Sequence, residues 1–169
     1  TCSAGRVMSK DFSKLYAFLQ AESVLTLATN DLQGPWSAPV LYVADVSKQP
    51  FCLYFLSSAN SRHSKALVES EPIAASIYSD YTGHWQSIKG AQLQVTVSAL
   101  DDLESAKAEG AYFDRFPDIK TLIDNPVTKQ EQLIGAAFSK SVFYRADPSS
   151  VRFTNNSDSF AGRTEWQFT

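Results

Sequence analysis

Cysteine is almost missing from this chain: Cys2 and Cys52 are the only two in 169 residues. Two thiols supply neither a disulfide framework nor a closed zinc site. Histidine is equally scarce, and His63 and His84 lack ligand spacing, so no metal chemistry is expected. There is no excess of positive charge, since 15 Lys and Arg face 18 Asp and Glu for a net charge of −3. A general nucleic-acid binder carries a basic footprint, which excludes that class of partner. No run approaches the ~20 apolar residues of a membrane span. The basic-then-apolar opening of a signal peptide is missing too, so a reduced, cytoplasmic setting is expected. The sequence holds no G-x-S-x-G, no H-E-x-x-H, no P-loop and no dinucleotide-binding glycine fingerprint.

Aromatic residues are what the chain has in abundance: 11 Phe, 7 Tyr and 3 Trp make 12% of it. Aromatic and β-branched enrichment favours sheet over helix bundle. A chain of this length with 44% hydrophobic and 20% charged residues can bury a full core as one domain. Residues 1–7 read as a leader ahead of Met8, and 8–169 as the domain.

Patterning then gives the order of elements. Ser9 can cap a helix whose Phe12, Leu15, Tyr16 and Leu19 recur at helical spacing. Strands follow at 23–29, 36–43 and 51–56, separated by turn residues, as in an antiparallel meander. A short helix is expected over 62–70, stopped by Pro72, then strands at 73–79 and 85–100, with Gly90 suggesting a bulge. Asp101 opens a helical insertion over about 101–137. Strands resume at 138–145 and 151–154, and a polar tail ends the chain. The composite is a mainly β domain, an antiparallel barrel with helices covering its openings.

Three segments can carry chemistry. In the first, Ser57, Ser58, Ser61, Arg62, His63 and Lys65 lie between a strand and a helix. Hydroxyls, a helix start and an arginine fork suit a phosphate. A helix cap followed by solvated basic residues accounts for the same pattern. In the second, Trp85 and Gln86 precede Gly90, offering a ring to stack on a planar ligand; a core aromatic beside an ordinary bulge is the plainer reading. In the third, Arg163 can reach a ligand from the Asn- and Ser-rich tail, or pair with Glu165.

The order of elements, together with residues 25–29, 34–40, 54–62, 65–67 and 73–77, resembles the FMN-binding split barrels related to pyridoxamine 5′-phosphate oxidase. Residues 88–92, 111–117 and 151–163 are similar to a functionally uncharacterised bacterial branch of that superfamily. The resemblance implies a six-stranded split barrel, a two-fold homodimer and FMN in clefts between the subunits. It puts Ser57 and Ser58 near the ribityl chain and phosphate, with Arg62 on the phosphate. It lays Ser37, Ala38, Pro39 and Val40 against the flavin ring, and brings Trp85 or Gln86 and Arg163 near the cofactor. Where the family carries lysine after that arginine, this chain has His63, with Lys65 two residues on.

The C-terminal substrate signature of the oxidase is missing, since the chain ends Trp166, Gln167, Phe168, Thr169. The expectation is therefore an FMN-dependent oxidoreductase of a small molecule other than pyridoxamine phosphate. The alternative is a non-catalytic dimeric binding or sensor module, with FMN lost or replaced by deazaflavin or haem.

Overall fold

Leu25, Leu27 and Thr29 are buried and alternate with exposed Val24, Ala28 and Asn30 along β1 (Val24–Asp31), the period of two that buries one face of a strand. In the computed structural model, which describes residues 11–159 and 161–168, six further strands accompany it. They are β2 (Gly34–Asp45), β3 (Cys52–Ser57), β4 (Pro72–Tyr78), β5 (Lys89–Ala99), β6 (Val142–Asn155) and β7 (Arg163–Gln167). All pair antiparallel in the order β3-β2-β1-β4-β5-β6-β7, and a β3–β6 pairing closes the first six into a barrel. The expected split barrel is the observed architecture.

Among the described residues, five α-helices flank it. Helix α1 (Ser13–Ala21) buries Leu15, Phe18 and Leu19 in the core of the barrel, where Tyr42 donates its hydroxyl to the Leu19 carbonyl at 2.6 Å. Helix α2 (Arg62–Lys65) follows β3. Helices α3 (Asp102–Arg115), α4 (Pro117–Asp124) and α5 (Lys129–Ser139) form a second cluster with Leu56 and Phe143, built on Tyr112, Phe116 and Ile119. Gly135 permits the close approach of α5 to α4, because a Cβ there would lie 2.0 Å from the Leu122 carbonyl oxygen.

Strand β6 has two successive partners on one edge. Its residues 142–146 pair with β3, and residues 150–154 pair with β7. Between them the register against β5 shifts, with Gln94 opposite Ser150 and Val95 opposite Pro148, so Ser149 is the extra residue. A bulge tolerates a proline that has no N–H to give the ladder, and it lets one long strand change direction.

Several local expectations change. The bulge is at Ser149 and not at Gly90, which pairs regularly with Tyr78. Residues Trp85–Ser87 form a 3-10 turn ahead of β5. Helix α2 is one turn long and does not reach 70, where Ser70 adopts a φ of 65°, outside the right-handed helical region. The strands expected at 138–145 and 151–154 are one strand starting at Val142. The tail forms β7, because Trp166 is 6% exposed and stacks on Phe12 with ring centroids 5.5 Å apart. The leader at 1–7 and the Ser9 cap lie outside the described residues. No helix among those described is long and apolar enough to cross a membrane.

Candidate cofactor site at the β3–α2 turn

The sequence from Ser57 to Lys65 folds into a turn whose polar groups mostly serve one another. Ser61 caps α2 by accepting from the Ser64 amide at 3.2 Å, and it donates to Ser64 Oγ at 2.8 Å. Ser58 Oγ accepts from the Asn60 amide at 3.2 Å. His63 Nε2 lies 2.7 Å from the buried Ser57 hydroxyl and 3.1 Å from that of Ser61. Burial pushes the imidazole below its ordinary pKa, so His63 is neutral at pH 7.

Arg62 reaches outward from α2 to the β1–β2 hairpin. Its Nε donates to Asp31 Oδ2 at 2.8 Å, and its Nη2 donates to Asp31 Oδ1 at 2.9 Å and to the Gly34 carbonyl at 3.2 Å. The guanidinium lies over the Trp36 ring, 4.4 Å from its centroid. Its hydrogen bonds hold the Asp31 carboxyl below the usual carboxylate range. The hairpin that presents Asp31 turns through Leu32 and Gln33, with Gly34 at a φ of 103°, a left-handed value suited to glycine. The two Nη1 hydrogens have no acceptor among the described residues.

Arg62 and Lys65 share a groove of about 540 Å³ with Asp31, Leu32, Gln33 and Asn60. Strand β2 runs on past the end of its pairing with β3 at Tyr42, so residues 37–40 have a strand partner only on the β1 side. Ser37 and Pro39 are exposed there, while Ala38 is buried and Val40 packs on the core. The groove therefore offers two cations, one of them already paired with a carboxylate and resting over the Trp36 ring. Such a set can hold an anion beside a flat ring. No side chain in it is poised as a general acid or base.

Trp85, Gln86 and Arg163 lie elsewhere. Trp85 is half-exposed and its carbonyl accepts from Asn156 Nδ2 at 3.2 Å, which ties this turn to the end of β6. Arg163 opens β7 opposite Thr154, which in turn pairs with Gly90. Thr26 pairs with Ser76 two residues before the end of β4, whereas Asp31 ends β1, so about seven residues of strand separate the two groups, roughly 20 Å. One protomer does not bring the two groups together.

Asp31 and Trp36, which hold Arg62, are the site residues that sequence reasoning missed. The signal at Asp31 reads as turn chemistry, and nothing in the spacing links it to an arginine 31 positions on. Among the described residues no three His, Cys, Asp or Glu side chains gather to hold a metal ion.

No family model matches the chain. It is 22% identical to a UPF0306 protein of Photorhabdus laumondii over 159 residues, 94% of this chain and 97% of that protein. It is 25% identical to a UPF0306 protein of Haemophilus ducreyi over 162 residues, 95% and 97% of the two chains. Among solved structures, a heme-binding protein of Mycobacterium smegmatis superposes with a TM-score of 0.66 at 18% identity, covering 95% of this chain and 60% of that one. An FAD-binding protein of Mesorhizobium loti superposes with a TM-score of 0.58 at 14% identity, covering 84% and 92%. These likenesses agree with the split-barrel fold.

Proposed function

We propose that this split barrel binds FMN as a cytoplasmic homodimer and is an FMN-dependent oxidoreductase acting on a small molecule other than pyridoxamine phosphate. The carrying observation is the groove of about 540 Å³ that Arg62 and Lys65 line together with Asp31, Leu32 and Gln33, the Arg62 guanidinium resting over Trp36 of β2. Lys65 and the Nη1 edge of Arg62 would hold the phosphate, with the Ser57 and Ser58 turn beside the ribityl chain. The exposed edge of β2 offers backbone donors and acceptors to a flavin ring. When bound, the flavin supplies hydride or electron transfer; this chain's residues bind, orient and shield it.

The separation of Trp85, Gln86 and Arg163 from the groove supports the dimer, since a two-fold copy is the economical way to bring such residues to one ligand. The Asp31–Arg62 pair favours a second reading, a non-catalytic binding or sensor module, because the carboxylate already occupies much of the arginine that would meet the phosphate.

Titrating the pure protein with FMN, a deazaflavin and haem in turn, followed by absorbance, tests both readings, with sedimentation at micromolar concentration alongside. One FMN per protomer on a dimer is the expected result. A dimer that ignores FMN but takes haem or deazaflavin overturns the first reading in favour of the second. A monomer overturns the shared site.

A further inference from the structure

A cavity of about 460 Å³ lies where the helical layer meets the barrel, and the cofactor reading makes no use of it. Leu56 and Phe143 line it from β3 and β6, Phe113 and Ile123 from α3 and α4, and Phe138 from α5. All but Leu56 are only partly buried, so the second core cluster leaves aromatic surface uncovered inside a recess. That size and lining fall in the range of small-molecule sites.

The rim carries acid. Asp102 and Glu109 stand on it, and neither carboxylate has an ion-pair partner among the described residues. The one lysine on the rim, Lys120, is held by Asp124 at 2.9 Å and lies over the Phe113 ring, 5.4 Å from its centroid. Glu109 also helps to raise the pKa of this ammonium. The chain thus already places one ammonium against an aromatic face here, with Glu109 acting on it from beyond ion-pair distance and Asp102 in no ion pair among the described residues.

We infer that this cavity binds a small aromatic organic cation, its rings on Phe138, Phe143 and Leu56 and its positive group toward Asp102 and Glu109. Aromatic faces attract cations, and carboxylates facing a desolvated ring face add to that attraction. The inference is independent of the flavin reading, because the cavity shares no lining residue with the Arg62 groove.

The probes are 2-naphthylmethylammonium and 2-naphthylacetate, titrated into the full chain and followed by amide chemical shifts. The ammonium is expected to bind at least about ten-fold more tightly than the carboxylate, with shifts centred on Leu56, Leu100, Phe113 and Phe143. Combining Asp102→Asn with Glu109→Gln, two substitutions at exposed positions, is expected to abolish the preference without changing the thermal midpoint. Equal affinity for the two probes overturns the inference, as do shifts centred on residues 57–65. Ammonium binding that weakens as protein concentration rises also overturns it, and assigns the recess to an interface between copies.

Discussion

Arg62 holds Asp31 with two parallel hydrogen bonds, Nε to Oδ2 at 2.8 Å and Nη2 to Oδ1 at 2.9 Å, and this pair fastens α2 to the β1–β2 hairpin. The same guanidinium is the strongest candidate for a phosphate. Its two roles compete, so the two partners respond oppositely to substitution. Arg62→Ala removes a charge-assisted contact and is expected to weaken FMN binding about ten- to hundred-fold. Asp31→Asn releases the guanidinium from a carboxylate and is expected to tighten binding about three- to ten-fold. Quenching of FMN fluorescence measures both; a loss of similar size in each variant would place the phosphate elsewhere.

His63 ties stability to pH. Its folded pKa lies below the ordinary histidine value of about 6.5, so between the two values the unfolded chain binds more protons. The contribution of the neutral ring is complete above about pH 6.5 and is lost as pH falls through and below that value. Urea midpoints at pH 7.5 and 5.5 should therefore diverge more in the wild type than in His63→Gln. An equal divergence removes His63 as the cause. FMN affinity should be insensitive to His63 over this range, because the Ser57 and Ser61 hydroxyls already hold Nε2.

Gly135→Ala tests the α4–α5 contact. The new methyl group would meet the Leu122 carbonyl oxygen at 2.0 Å, which forces the helices apart. Overpacking of this kind costs about 1–3 kcal/mol. The loss should appear as faster hydrogen exchange across α4 and α5, with protection of β1 and β5 retained. Unchanged protection in both helices would contradict the close approach.

Cys52 is 5% exposed, and burial pushes its thiol pKa up. With Cys2 replaced by serine, the folded protein should leave Ellman's reagent unreacted at pH 8 and release about one equivalent of thiol in guanidinium. Fast reaction of the folded protein would mean that β3 opens readily.

Strands β1 and β5 were legible because buried and more exposed residues alternate along them, whereas β3, buried at every position, was legible as a short apolar run. The start of β6 was not, since Phe138 and the apolar residues before it suit helix and strand alike. The deciding signal is local: Thr128 and Glu131 form a capping box that sets α5 running through Ser139. The polar turn at 57–65 was visible as a place where backbone and hydroxyl groups gather. What it faces was not, because Asp31 and Trp36 reach Arg62 through a sheet register that spacing along the chain does not encode. The separation of Trp85 from that turn is likewise a property of pairing, set by Thr26 opposite Ser76.

Strand β7 also bears on how the protein avoids edge-to-edge sheet growth between copies. Barrel closure through β3 covers β6 only over residues 142–146, and beyond the Ser149 bulge the strand would offer residues 150–154 as an open ladder. Unpaired ladders of this kind template sheet growth between chains. Residues 163–167 occupy that ladder and leave Arg163, Thr164, Glu165 and Gln167 exposed on the outermost strand. Charged side chains on a short last strand discourage further addition. Proteolytic loss of the tail would thus turn a closed barrel into a seed for fibrous assembly.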